Sequence, residues 1–120
     1  MSIRLKRAYE ARVESDGYRV LVDRLWPRGV SKQDAKIDLW LKEIAPSTDL
    51  RQWFGHDPAK WDEFRKRYAQ ELDTRPEIVK QLTNLVEKQS VTLIYSAKNE
   101  EFNQAVALKE YLDTKHKSRA

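Results

Sequence analysis

Hydrophobic positions along the chain follow two distinct patterns. Tyr18-Arg-Val-Leu-Val22 and Val91-Thr-Leu-Ile-Tyr95 are short, nearly continuous apolar runs rich in β-branched residues. Such runs predict strands covered on both faces, the habit of parallel sheets. Ile3 to Tyr9 alternates instead, with Ile3 and Leu5 set against Arg4 and Lys6, and predicts a third short strand. Glu14-Ser-Asp-Gly17 predicts a turn, because Asp and Gly tolerate positive φ. Residues 37–44 fit both periods: Ile37, Leu39 and Leu41 alternate, whereas Trp40, Leu41 and Ile44 also share a helical face. Ala45-Pro46 ends this segment in extended geometry, which favours strand over helix.

The remaining segments read as helices. Ser47 or Thr48 is placed to N-cap a short one carrying Leu50, Trp53 and Phe54, closed by Gly55. Asp57-Pro58, a capping side chain followed by proline, starts the next, which runs to about Leu72 with Trp61, Phe64, Tyr68 and Leu72 on one stripe. Thr74-Arg-Pro-Glu77 has the spacing of a capping box ahead of Ile78, Val79, Leu82, Leu85 and Val86. Asn99 is placed to cap a last helix, with Glu100 and Glu101 in its first turn and Phe102, Ala105, Val106, Leu108 and Leu112 on its apolar face. Strand, loop, helices, strand, helix is an α/β order. It predicts a small, mainly parallel sheet with helices packed on both faces, a single domain over residues 1–114, and a polar, frayed tail at 115–120.

Composition narrows the function classes. With 120 residues, 40% hydrophobic and 35% charged, the chain suits one globular domain. No apolar run approaches the roughly 20 residues of a membrane span, and the first residues carry no signal-peptide core, so a soluble cytoplasmic protein is expected. The absence of cysteine excludes disulfides, thiolate metal sites and a Cys nucleophile. With only two histidines besides, no metal site is expected, and three glycines are too few for a P-loop or a dinucleotide fingerprint. No cofactor is expected. Residues 1–36 hold nine Lys/Arg against five acids, so the whole net charge of +4 lies there; the rest balances at fourteen of each sign. Such asymmetry points to an anionic partner, or to a solvated basic face.

In open α/β sheets ligands bind beyond the carboxyl ends of the strands. Two segments end there: the loop Asp23–Lys32 and the loop Ser96–Asn99. If their strands are neighbours, the loops share one crevice. Arg24, Arg28 and Lys32 suit phosphate or carboxylate oxygens, and Trp26 offers a ring for stacking. The alternative folds Leu25 and Trp26 into the core and pairs Asp23 with Arg24 or Arg28. Asp23, at a strand end, suits orienting an arginine better than acting as a base. Backbone N–H groups after Ser96, at a helix start, would bind an anion with Lys98 and Asn99 beside them. Ser96 has no histidine near in sequence to activate it. His56 is the only histidine outside the tail, and its neighbour Asp57 is claimed as a cap. Trp40, Trp53 and Trp61 read as core or interface residues.

Several stretches together carry a family likeness. They are Arg19-Val-Leu-Val-Asp-Arg-Leu-Trp-Pro-Arg-Gly29, Trp40-Leu-Lys-Glu-Ile-Ala-Pro-Ser47, Trp53-Phe-Gly-His-Asp57, Ile94-Tyr-Ser-Ala-Lys-Asn99 and Asn103-Gln-Ala-Val106. With Phe64, Tyr68, Glu71-Leu72 and Leu108-Lys-Glu-Tyr-Leu112, they resemble the YeaO-like subgroup of the domain-of-unknown-function family 488 over nearly the whole chain. The resemblance implies a compact α/β domain and supplies no activity. The broader family looks to carry a strand ending in Asp-Val-Arg and a later Cys-His-Arg-like element, arranged somewhat like a phosphatase or rhodanese site. Here Val22-Asp-Arg24 and Tyr95-Ser-Ala97 stand at the strand ends, and Phe102-Asn-Gln104 stands where Cys-His-Arg would fall. YeaO-like relatives tend to have His in place of Phe102. The sequence therefore predicts an anion-friendly crevice without an obvious nucleophile, with Asp23, His56 and Ser96 as the weak catalytic candidates. It leaves open a small phosphate-bearing or other anionic ligand, with Asp23 or His56 in proton transfer if there is turnover. Nucleic acid bound through the basic first third, and a homodimerising interaction module, are the other two readings.

Overall fold

Five consecutive buried residues, Val91–Tyr95, form the strand around which the chain is organised. The computed structural model describes residues 3–118, with side chains through Thr114. The four strands are β1 (Ile3–Arg7), β2 (Tyr18–Leu21), β3 (Leu39–Trp40) and β4 (Val91–Tyr95), in the order β1-β4-β2-β3. Every pairing is parallel. Ile3 lies opposite Val91 on one side of β4 and Tyr18 opposite Val91 on the other, so β1 and β2 flank it in register. The five helices are α1 (Lys32–Ala35), α2 (Thr48–Phe54), α3 (Trp61–Asp73), α4 (Pro76–Lys88) and α5 (Gln104–Ser118). The tail expected at 115–120 overlaps the end of α5, whose backbone reaches Ser118; residues 119–120 lie outside the described residues.

The two faces of the sheet are unequal. Val20, Val22, Val91, Leu93 and Tyr95 point into the main core, against Leu50 and Phe54 of α2, Phe64, Tyr68 and Leu72 of α3, Leu82 and Val86 of α4, and Leu108 and Leu112 of α5. The buried apolar cluster of the opposite face is small, Ala8, Leu21 and Ile94, covered by Trp26, Ile37 and Trp40 from the segment around α1. Helices thus cover both faces, but the second cover is one helix of four residues and its flanking loops. At the amino end of β2, Gly17 has φ 65, and a Cβ there would meet the Ser90 carbonyl oxygen at 2.6 Å. Only glycine lets the turn pass that close to the start of β4.

Local signals place most helix ends. The Ser47 hydroxyl accepts the Leu50 N–H, and Gly55 closes α2 with φ 54. Asp57 accepts the Ala59 N–H and leads through a 3₁₀ turn, Pro58–Lys60, into α3. Three expectations are corrected. Thr74 does not cap α4: its hydroxyl donates to the Glu71 carbonyl behind it, and Arg75, with no capping side chain, precedes Pro76. Asn99 does not cap α5. Its Oδ1 accepts the Glu101 and Phe102 N–H groups in a local turn, and Asn103 caps the helix by accepting the Val106 N–H. Residues 37–44 are divided, Leu39–Trp40 pairing as β3 and Lys42–Ile44 coiling as a 3₁₀ turn, because β3 finds only two partners on β2.

Candidate functional site

Because β2 and β4 are paired, the segments after them emerge side by side. The ladder continues one step beyond β2, where the Val22 N–H donates to Ile94 O at 3.0 Å. Asp23 and Ser96 therefore leave the sheet together. The Asp23 Oδ2 accepts both the Ser96 N–H at 2.9 Å and the Ser96 hydroxyl at 2.6 Å. Its Oδ1 accepts the Gln104 side-chain amide, and its backbone carbonyl accepts the Trp40 indole N–H at 2.7 Å. Asp23 is only 6% exposed. Burial pushes its carboxyl above the ordinary value, and the Ser96 hydroxyl and N–H, Gln104 and the Arg51 charge offset only part of that rise. It bonds to neither Arg24 nor Arg28, so the expected role of orienting an arginine is replaced by a clamp on Ser96 and Gln104.

Over this clamp opens a cleft of about 250 Å³. Its walls come from four places in the chain: Tyr9 after β1, residues 23–28 after β2, Ala45, Pro46, Arg51 and His56 around α2, and Ser96, Ala97 and Gln104 at the far end of β4. Arg24, Arg28, Arg51 and His56 line it, and Asp23 is its only carboxylate. None of the three arginines forms an ion pair among the described residues. Arg24 donates from Nη2 to Ala45 O at 3.4 Å, while its buried Nε–H meets no acceptor in the protein. Such an orphan donor is costly unless something accepts from it. His56 is held at the rim by two successive left-handed residues, Gly55 at φ 54 and His56 itself at φ 57, a conformation costing a residue with a Cβ roughly 1–2 kcal/mol.

The cleft gathers only part of the site expected from sequence. Asp23, Arg24, Trp26, Arg28, His56 and Ser96 converge. Lys32 lies on exposed α1, and Lys98 and Asn99 lie outside the lining. The expected helix-terminus anion site after Ser96 is not formed, since α5 begins at Gln104 and the Ser96, Glu101 and Phe102 N–H groups are already taken. Trp26 folds back, its indole donating to Val30 O at 2.6 Å and its ring meeting Trp40 edge-on, whereas Leu25 stays outside. Arg51, Gln104 and Tyr9 were not anticipated. Arg51 sits one turn into α2 and Gln104 opens α5, and nothing in their local sequence marks the neighbour they meet. Of Phe102-Asn-Gln104, only Gln104 reaches the cleft; Phe102 packs edge-on against Trp61 and Asn103 caps the helix. Trp61 also stacks on Phe64, and Trp53 lies under Arg67, which fits the core reading of the helix tryptophans.

Chemically, this is a cationic hollow with a saturated acid at its base. Ser96 donates to a carboxylate far too weak a base to deprotonate an alcohol, and no histidine hydrogen bond activates it. Residues 2–120 match the family described as the inactive DUF488-N3 subclade. The chain is 46% identical over 112 residues to "Uncharacterized protein YeaO" of Escherichia coli (strain K12), covering 93% of this chain and 97% of that one. It is 37% identical over 111 residues to an uncharacterized protein of Mycobacterium tuberculosis (strain ATCC 25618 / H37Rv), covering 92% and 93%. No solved structure matches it significantly. The chain belongs to the inactive DUF488-N3 subclade, within the YeaO-like part of family 488.

Proposed function

We propose that this protein binds a small phosphate-bearing or other anionic ligand in the cleft beyond β2 and β4, and that it holds the ligand without turning it over. The observation that carries this reading is the charge of the lining: three arginines and a histidine face a single carboxylate whose oxygens are already bonded. Guanidinium forks match oxyanions geometrically, and partly buried ones bind them more strongly than surface lysines do. The absence of cysteine and the description of the subclade as inactive both favour binding over catalysis.

A thermal-shift titration with inorganic phosphate at fixed low salt tests the proposal. Phosphate at ~100 times its Kd adds roughly 2.7 kcal/mol, enough to raise Tm by several degrees in a domain of this size. Arg24→Ala combined with Arg28→Ala should abolish the shift while the far-ultraviolet circular dichroism stays unchanged. Undiminished affinity in the double variant would falsify the site. A shift with single-stranded oligonucleotides alone, lost on adding salt, would replace it with a nucleic-acid surface.

A further inference from the structure

Apolar side chains are not exposed at random here. Among the described residues, three large hydrophobic side chains stand exposed: Tyr9 at 48%, Val13 at 48% and Leu25 at 64%. Two of the three, Tyr9 and Leu25, line the cationic cleft. They approach it from different parts of the chain, Tyr9 from the turn after β1 and Leu25 from the loop after β2. Tyr9 has a cation against its ring. The Arg7 guanidinium lies over its ring, 5.2 Å from the centroid, and the Arg7 Nε in turn donates to Ala97 O at 2.9 Å. Leu25 is held out by its neighbours, since Asp23 is clamped to Ser96 on one side and Trp26 is tied to Val30 on the other.

A bare inorganic anion has no use for such a rim. At about 250 Å³ the cleft holds several water volumes, more space than the arginines need to surround one tetrahedral oxyanion. A binding site that keeps apolar groups in water beside convergent charges is built for a ligand having both characters. The larger hollow beside α4, of about 710 Å³, is not cationic in the same way, because two carboxylates, Glu43 and Glu77, line it.

Resting on the anion-site reading above, we infer that the ligand is a phosphate monoester of a planar ring, with its phosphate among Arg24, Arg28 and Arg51 and its ring against Tyr9 and Leu25. The exposed Tyr9 ring at the cleft offers a surface on which a planar ring stacks.

Isothermal titration calorimetry with inorganic phosphate and with phenyl phosphate, on the wild type and on a Tyr9→Ser/Leu25→Ser double variant, decides the matter. Both positions are exposed, so the variant keeps its fold, checked by circular dichroism. Phenyl phosphate should bind the wild type at least about fivefold more tightly than inorganic phosphate, the factor that corresponds to ~1 kcal/mol of stacking. The double variant should lose that advantage and keep its affinity for inorganic phosphate. Equal affinities in the wild type, or an advantage that survives both substitutions, would overturn the ring assignment and leave the anion site standing. If neither compound binds, the anion site itself falls and the ring assignment falls with it.

Discussion

Two buried aspartates stand at the two ends of β2 and are treated in opposite ways. At the amino end, Asp16 accepts from Lys6 Nζ at 3.1 Å, from Arg19 Nη1 at 2.6 Å and from the Val13 N–H at 3.1 Å. Arg19, 1% exposed, gives two further donors to Ala35 O, at 3.2 and 2.8 Å, and anchors α1 to the thin face of the sheet. At the carboxyl end, Asp23 is surrounded by neutral donors, and the nearby arginines are left without a carboxylate partner. The electrostatics follow the partners. Burial alone would raise Asp16, but the Val13 N–H, Lys6 and Arg19 outweigh it and hold that carboxyl below the ordinary value of 3.8. Asp23 lacks such cations, burial wins, and its carboxyl is raised. The comparison teaches where charge is structural: a cation matched by a buried anion holds the fold, and one left unmatched beside a cleft is free for a ligand.

Breaking the structural end should have the largest effect. Asp16→Ala leaves the Arg19 guanidinium buried without its anion, a change that typically costs about 3–5 kcal/mol. Urea denaturation should show that loss, and a midpoint close to wild type would refute the pairing as a determinant of stability. Breaking the other end should cost binding instead. Arg51→Met should weaken phosphate binding by about 10- to 100-fold, the worth of a charged hydrogen bond, with an unchanged urea midpoint. A fall in stability of several kcal/mol with affinity intact would reverse the roles assigned to the two ends.

Smaller effects sharpen the contrast. Ser96→Ala removes one donor to Asp23 and should cost about 1 kcal/mol while leaving phosphate affinity within about twofold, since the hydroxyl is a clamp and not a nucleophile. The two aspartates should also give pH dependences of opposite sign. Asp16, lowered in the folded state, contributes stability that is present above 3.8 and lost as pH falls through its folded value. Asp23, raised, contributes favourably below 3.8 and loses that contribution as pH rises through its folded value. Asp16→Asn should therefore flatten the acid limb of a stability profile from pH 3 to 7, and Asp23→Asn should steepen it. At pH 7, Asp23→Asn should change stability by less than about 1 kcal/mol, because an amide keeps one acceptor and sheds the buried charge. Parallel limbs in the two variants would show that the aspartates are equivalent after all.

Much of this was legible in the residues. The apolar pentads at 18–22 and 91–95, the caps at Ser47, Gly55 and Asp57 and the stripes of α3 and α4 follow from period and local hydrogen bonding, which involve only near neighbours. That a cleft opens beyond β2 and β4 agrees with the parallel sheet those strands imply. The errors share a cause. Asn99 and Thr74 each had the right residue type to cap, but each found a different local partner, one by turning the chain for five more residues before α5 and one by bonding backwards to Glu71. Lys98 and Lys32 carry the expected charge but lie outside the lining of the cleft, Lys32 because it opens α1.

The sequence by itself determined the α/β class and most of the strands and helices, because periodicity and turn chemistry act within a few residues. Only the tertiary structure decided which charges are consumed. Arg19 and Lys6 look like the other cations of the basic first third, yet they close on Asp16. Arg51 and Gln104 look like surface residues, yet they meet across the cleft from Arg24 and Asp23. The Gln104–Asp23 bond spans 81 positions, and bringing Arg51 to the same cleft depends likewise on how the strands are ordered, which no local pattern records.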